Sequence, residues 1–227
     1  MVYKNVKDAR FISRPNRFIA NIEVDGKVEI AHVKNTGRCA ELFVPDAHIF
    51  IQECYQPNRK TKYDVIGVKK DNKIINIDSQ VPNKVFGEYV AGGKFLDDVV
   101  CVKPETTYKN SRFDFYIETE KEKIFVEVKG VTLEEKGIAR FPDAPTERGV
   151  KHINELVDAV KNGYRAYIVF VIQMKGISRF EPNRNMHKEF ADALLCAQKN
   201  GVNILALDCI ATENSLYIDK SVDVFLD

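Results

Sequence analysis

The sequence predicts an α/β protein, α+β overall, with a small barrel or sandwich of short strands first and a mixed α/β domain after it. Two observations carry this. Through about the first 80 residues, short alternating runs are separated by turn residues, with little helical spacing between them. Beyond that point a strand–helix–strand–helix–strand order implies layering with some parallel pairing. The change of character over residues 79–83 sets the domains at 1–82 and 83–227.

Residues 17–24 alternate around Phe18, Ala20, Ile22 and Val24. A strand at 28–33 follows Asp25-Gly26, a strong hairpin turn signal. Residues 47–53, 63–69 and 74–77 read as further strands, with turn residues at Asn35-Thr36-Gly37 and Pro45. Pro82-Asn83 opens a helix that runs to Gly92-Gly93. Residues 98–105, 113–118 and 124–130 read as consecutive strands. A helix over 146–162 spaces Val150, Ile153, Val157 and Val160 along one face, and Gly163 stops it. A buried strand at 166–172, a helix at 185–200 and a strand at 202–209 complete the order.

Composition bounds the function. The 227 residues are 44% apolar and 30% charged, as expected of a soluble globular chain with a substantial core. The net charge of +1 gives no global attraction for a polyanion, but it hides an uneven split. Residues 1–82 carry 14 basic and 10 acidic side chains, and residues 83–227 carry 20 and 23. Lys4, Lys7, Arg10, Arg14 and Arg17 face only Asp8 among the first 17 residues, and Phe11, Phe18 and Phe43 are candidate stacking surfaces. Small barrels bind single strands with such mixed surfaces, although charged loops and core phenylalanines would look the same. Thr36-Gly37-Arg38 is a turn that could offer Arg38 to a phosphate. Five cysteines without a CxxC pair argue against a disulfide framework or zinc ribbon and for a reducing, cytoplasmic setting. The longest apolar run, 166–172, is far short of the ~20 residues that span a bilayer. No signal-peptide core is visible, and no membrane partner is expected. There is no Gly-rich phosphate loop and no readable helix-turn-helix.

The chemistry concentrates in Ser111-Arg112-Phe113-Asp114 and Glu127-Val128-Lys129-Gly130. Glu127 and Lys129 are two apart on an apolar strand and share one face, with Val126 and Val128 on the other. Converging carboxylates can hold a divalent ion that acts as Lewis acid and lowers the pKa of its water. A neighbouring lysine can orient that water or meet transition-state charge. For Asp114 to join Glu127, it must lie across from an odd-numbered residue, for example Lys129, with Tyr116 across from Glu127. The same spacing also suits a solvent-facing acid and a surface ion pair. Glu105 on the preceding strand or Glu88 on the preceding helix could add an acid, and Glu105 is favoured because a strand lies closer. Arg148, Lys151, His152 and Glu155 follow i, i+3, i+4, i+7 near a helix start after Pro145 and the potential cap Thr146. That stripe suits a phosphate or a solvated face.

Together these segments resemble the sugar fermentation stimulation protein A (SfsA) family. The carrying residues are Arg17-Phe18-Ile19-Ala20, Asn35-Thr36-Gly37-Arg38-Cys39, Asn110-Ser111-Arg112-Phe113-Asp114 and Glu127-Val128-Lys129-Gly130-Val131-Thr132-Leu133. Phe141-Pro142-Asp143-Ala144, Thr146-Glu147-Arg148-Gly149 with Lys151-His152, Arg179-Phe180 and Gly201-Val202 follow in the family's order, so the match covers nearly the whole chain. Asp46 and Lys109 stand where the resemblance leads one to expect glycine.

The resemblance implies an N-terminal OB-like barrel and a PD-(D/E)xK nuclease-like domain. It places Asp114, Glu127 and Lys129 on the nuclease motif, with Glu105 as accompanying acid. It also implies a divalent metal, magnesium or manganese, on Asp114 and Glu127. The family is described as DNA-binding and linked to regulation of sugar metabolism. Two readings follow. One is a metal-dependent nuclease, with Arg14, Arg17 and Arg38 on the barrel side and Arg112, Arg148, Lys151 and His152 as further nucleic-acid contacts. The other is a DNA-binding regulator on a nuclease-like scaffold that does not cleave. The partner expected is DNA bound without sequence preference, single-stranded or structured. Assembly as a homo-oligomer is open.

Overall fold

A computed structural model describes residues 1–35, 37–55 and 59–226. Thr36 lies outside the described residues, so the turn expected there is seen only from Asn35 and Gly37 onward.

Six strands build the first domain: β1 (Val6–Asn16), β2 (Ile19–Val24), β3 (Lys27–Val33), β4 (His48–Glu53), β5 (Tyr63–Lys70) and β6 (Lys73–Asn76). They hydrogen-bond in the order β3-β2-β1-β4-β5-β6, and a parallel β3–β5 pairing closes five of them into a barrel. Alternation explains the interior: Ala20, Ile22 and Val24 of β2 point in with Ala31, Val33, Ile49, Ile51 and Val65. The β2–β3 turn places Asp25 and Gly26 at positive φ, as an Asp-Gly hairpin requires. The sequence reading missed β1. Its charges and Pro15 mask a strand that buries only Ala9 and Phe11, and two irregularities interrupt its pairing with β2. Phe11 and Phe43 are buried against each other, ring centroids 5.1 Å apart, so of the three proposed stacking rings only Phe18 is exposed.

The second domain is a nine-stranded mixed sheet between helices. Helix α1 (Val81–Ala91) leads into an antiparallel meander of β7 (Val99–Tyr108), β8 (Ser111–Thr119) and β9 (Lys123–Val131). Short strands β10 (Leu133–Glu135) and β11 (Ile138–Phe141) precede α2 (Glu147–Lys161) and β12 (Arg165–Ile172). Then come β13 (Arg179–Pro182), α3 (Lys188–Lys199), β14 (Asn203–Ala211) and β15 (Leu216–Val224). Strands β9, β12 and β14 pair in parallel, the predicted α/β core. The reading missed β10, β11, β13 and β15. The first three are short, and β15 alternates buried and charged residues without an apolar run.

Helix α1 covers one face of the sheet with Val81, Val85, Phe86 and Val90 against Phe115, Ile117, Val126 and Val128. Helices α2 and α3 cover the other, with Ile153, Leu156, Phe190 and Leu194 against Phe125, Ile168 and Phe170. This second core is continuous with the barrel interior. The domains are also joined at the chain's first residues: Val2 bridges Ser215, and Tyr3 donates its amide to the Asn214 carbonyl at 2.7 Å. Asp46 and Lys109, where glycine was expected, both adopt positive φ, so the turns keep the shape that favours glycine. Among the described residues no helix is long and apolar enough to cross a membrane.

Candidate active site

The β8–β9 ladder decides whether the acids meet. It pairs Glu118 with Lys123, Tyr116 with Phe125 and Phe115 with Val126. One further step brings Asp114 opposite Glu127. The odd register required by the sequence argument is present, two residues from the pairing given as its example. Regular pairing stops there, and the Asp114 carboxylate takes the Val128 amide at 2.7 Å. Its other oxygen accepts from Asn83 of α1 at 2.7 Å. The acid is therefore fixed where the two strands part, with the start of α1 beside it.

Glu127 is only 3% exposed. One oxygen, Oε1, accepts from Lys129 Nζ at 2.5 Å and contacts His152 Nδ1 at 2.5 Å. The other, Oε2, is buried without a hydrogen-bond partner among the described residues. Burial raises the carboxyl's pKa, but His152 and Lys129 together outweigh it and hold Glu127 below its ordinary value. Asp114 moves the opposite way: burial first, then the charge of Glu127, push it up, more than its hydrogen bonds offset.

His152 is the largest departure from the expected stripe. Arg148 and Lys151 are exposed on α2, whereas His152 is 4% exposed and turned under the helix onto Glu127. Arg148 Nε donates to His152 Nε2 at 3.3 Å, which leaves the ring proton on Nδ1 to be donated to Glu127. Gly149 lets the start of α2 pack closely on α3, since a Cβ there would lie 2.9 Å from the Thr146 methyl and 3.0 Å from Phe190. Thr146 caps the helix as expected, accepting from the Gly149 amide at 3.1 Å.

The other nominated residues are more dispersed. Glu105 is exposed on edge strand β7, 3.4 Å from Arg112, and lines a shallow groove with Asp114, Asn83 and Lys84. Glu88 is on α1 and pairs with the Met1 amino group. Lys151 donates to the Asn110 carbonyl at 2.9 Å. Arg14 is committed to structure: its guanidinium donates to the carbonyls of Arg17, Asn35 and Arg38 and lies 4.8 Å over Phe43. Arg17 and Arg38 stand at two clefts where the domains meet. The sequence reading missed Asn83 and Gln173. Neither belongs to a motif, and only the fold carries them to the site.

Among the described residues, no three of His, Cys, Asp and Glu converge as a ready-made metal cage. The Asp114–Glu127 pair nonetheless fits a divalent cation. It supplies a buried oxygen with no partner and two carboxylates whose mutual repulsion a cation would relieve.

With this geometry in place, two family models match the chain: the SfsA N-terminal OB domain over residues 12–77 and the sugar fermentation stimulation protein RE domain over residues 80–215. A sugar fermentation stimulation protein homolog of Clostridium beijerinckii is 59% identical over 226 residues, covering 100% of both chains. A homolog of Desulfitobacterium hafniense is 59% identical, covering 100% of this chain and 99% of its own. The solved structure of Pyrococcus furiosus SfsA in complex with Ca2+ superposes with a TM-score of 0.91 at 30% identity, covering 99% of this chain and 98% of that one. The chain belongs to the sugar fermentation stimulation protein (SfsA) family.

Proposed function

We propose that this member of the SfsA family binds DNA and hydrolyses its phosphodiester bonds with a divalent cation held by Asp114 and Glu127. The observation that carries the reading is the meeting of these two acids where β8 and β9 part, with Lys129 on Glu127 and one Glu127 oxygen left without a partner. Two carboxylates suit magnesium or manganese, which keep several waters; when bound, such an ion supplies Lewis acidity and a water of lowered pKa. The Ca2+ of the Pyrococcus furiosus relative is a hard, oxygen-seeking cation of the same class.

The chain's own side chains divide the remaining work. His152 and Lys129 fix the rotamer of Glu127 by sharing one oxygen, which keeps the other turned to the site. The Lys129 ammonium is the nearest positive charge to that oxygen pair and can meet negative charge developing on a phosphate. Arg112 and Lys151 are exposed beside the site and can exchange their present partners for phosphates. Arg14 shapes the loop that presents Arg17 and Arg38. Glu105 borders the groove beside Asp114 as a supporting acid. Five unpaired cysteines suit a cytoplasmic setting.

The test is Glu127→Gln assayed on single-stranded, duplex and branched DNA and on RNA with Mg2+ or Mn2+. Metal-dependent cleavage should fall by roughly a thousandfold or more, while DNA binding stays within about threefold. Unchanged cleavage removes Glu127 from the mechanism. Steeply salt-dependent binding by wild type, with no cleavage of any substrate, would instead support the regulator that binds without cutting.

A further inference from the structure

A cleft of about 370 Å³ opens between the barrel and the sheet, at the lower end of the range for ligand pockets. The barrel contributes Arg17, Asn35 and Gly37, and the second domain contributes Gly130, Thr132 and Gln173. Gly130 directly follows Lys129, so the cleft begins one residue from the proposed catalytic strand positions.

Gln173 gives the cleft its chemistry. The residue is 1% exposed, and its Nε2 donates to Asn76 Oδ1 at 3.0 Å and to the Asp78 carbonyl at 3.1 Å. The Asn76 amide is itself oriented, because its Nδ2 donates to Tyr3 Oη at 2.9 Å and its Oδ1 also accepts the Asp78 amide at 3.1 Å. Gln173 therefore cannot turn over without losing both donations. Its Oε1 is left as an acceptor beside Gly130, where a Cβ would lie only 2.6 Å from it, and it has no partner among the described residues. Asp143 adds a second acceptor to the lining, its Oδ2 taking the Arg38 amide at 3.1 Å. At the mouth stands Arg17, exposed and without a carboxylate in salt-bridge reach among the described residues.

Arg140 also lines the cleft, but its guanidinium is already paired with Glu135 and Glu181. The groups left to a ligand are the Gln173 and Asp143 acceptors inside and the Arg17 cation, which call for N–H donors at one end and an anion at the other. A nucleotide unit is built that way. In a duplex, the Watson–Crick donors of each base are already used by the opposite strand, and paired bases cannot enter a recess of this size. We propose that the cleft takes one unpaired nucleobase of the strand lying across the Asp114–Glu127 site, with Arg17 on an adjoining phosphate. The substrate is then single-stranded, or unpaired beside the phosphate to be cut. The position of that phosphate rests on the nuclease reading above; the cleft's preference for an unpaired base does not.

The experiment uses the full chain with Ca2+ and a short oligonucleotide carrying 2-aminopurine, single-stranded or annealed to its complement. Wild type should bind the single strand at least about tenfold more tightly than the duplex and change the fluorescence of the inserted base. Ala144→Phe, which fills the cleft from its lining, should abolish that preference. Arg17→Ala should weaken single-strand binding about three- to tenfold and reduce its salt dependence. Thermal melts establish that both variants fold, and either one carries the test alone. Equal affinity of wild type for duplex and single strand overturns the inference, as does an unchanged preference in folded Ala144→Phe or an unchanged affinity in folded Arg17→Ala. Loss of cleavage in Glu127→Gln with an intact preference in Ala144→Phe would sink the cleft but leave the nuclease. An absence of cleavage together with a cleft-dependent preference would do the reverse.

Discussion

Each domain buries a carboxylate that its neighbours hold below the ordinary range, yet the two are built for different ends. Asp64 in the barrel pairs with Arg59, lies 3.6 Å from Lys34 and 3.5 Å from His32, and both its oxygens have partners. Burial works against its ionisation, and Arg59 and Lys34 more than compensate. Glu127 crowds its two donors onto one oxygen, leaves the other with none, and faces a second acid. Around Asp64, Arg59 and Lys34 balance Asp64 and Asp78, so that cluster is complete as it stands. Around Asp114 and Glu127 the protein leaves negative charge that only a further cation would complete. Depressed pKa values alone do not separate these cases; the count of partners on each oxygen does.

The largest expected effect breaks the barrel side of this comparison. Asp64→Ala should cost roughly 2–3 kcal/mol in denaturant unfolding, because it leaves the half-buried Arg59 guanidinium without its carboxylate, while Lys34 keeps Asp78 at 2.7 Å. Glu127→Gln should cost less, within about 1 kcal/mol in the same assay, since the amide oxygen can still accept from Lys129 and His152 and the lost attraction is partly offset by relief of the repulsion on Asp114. Comparable losses would erase the distinction.

Next comes the donor that holds Glu127. His152→Gln should weaken Mn2+ binding by about 10–100-fold in calorimetry, because its amide extends toward the Nε2 position. His152→Asn, whose amide falls near Nδ1, should recover most of the loss. Equal loss in both variants would mean that His152 serves packing alone.

A smaller effect separates the sites by pH. The folded pKa of Asp114 lies above its unfolded 3.8, so ionisation costs stability increasingly as pH rises from about 3.8 through the folded value. Asp114→Asn should therefore stabilise the metal-free protein at pH 7, by up to about 1 kcal/mol, and make no difference below pH ~3.8. Asp64 has the opposite sign: its contribution is present above about 3.8 and is lost as pH falls through its depressed value. Melting curves from pH 3 to 7, with and without Mn2+, check both, and destabilisation by Asp114→Asn at pH 7 without metal would contradict the first. The smallest effect is Glu105→Gln. An exposed acid paired with Arg112 should change Mn2+ affinity by no more than about threefold.

Much of this was legible in the sequence, for stated physical reasons. Period-2 alternation marked β2, and period-3.6 spacing with a threonine cap marked α2. Glu127 and Lys129 shared a face because pleating leaves no other choice. What stayed hidden depended on position in space. β1 buries too few residues to show a pattern, and β11 and β13 are four-residue strands that form by joining a sheet already present. His152 read as part of a basic stripe because spacing places a residue on a helix face without saying what that face meets. Gln173 carried no signal, since its meaning comes from Asn76, 97 residues away.

The attachment of residues 2 and 3 to the far sheet has a mechanical consequence. The chain crosses between the domains near its start and again between β6 and α1, and an apolar core runs through the junction. A body strapped at two points cannot swivel on either one. The hydrogen-bonded file of Tyr3, Asn76 and Gln173 lies between those straps and resists shear. The two halves should therefore melt in a single calorimetric transition, and the cleft between them is a rigid slot. If the proposed nucleobase enters it, little energy should go into reshaping the protein, and the rate of capture should be set by encounter instead of by closure.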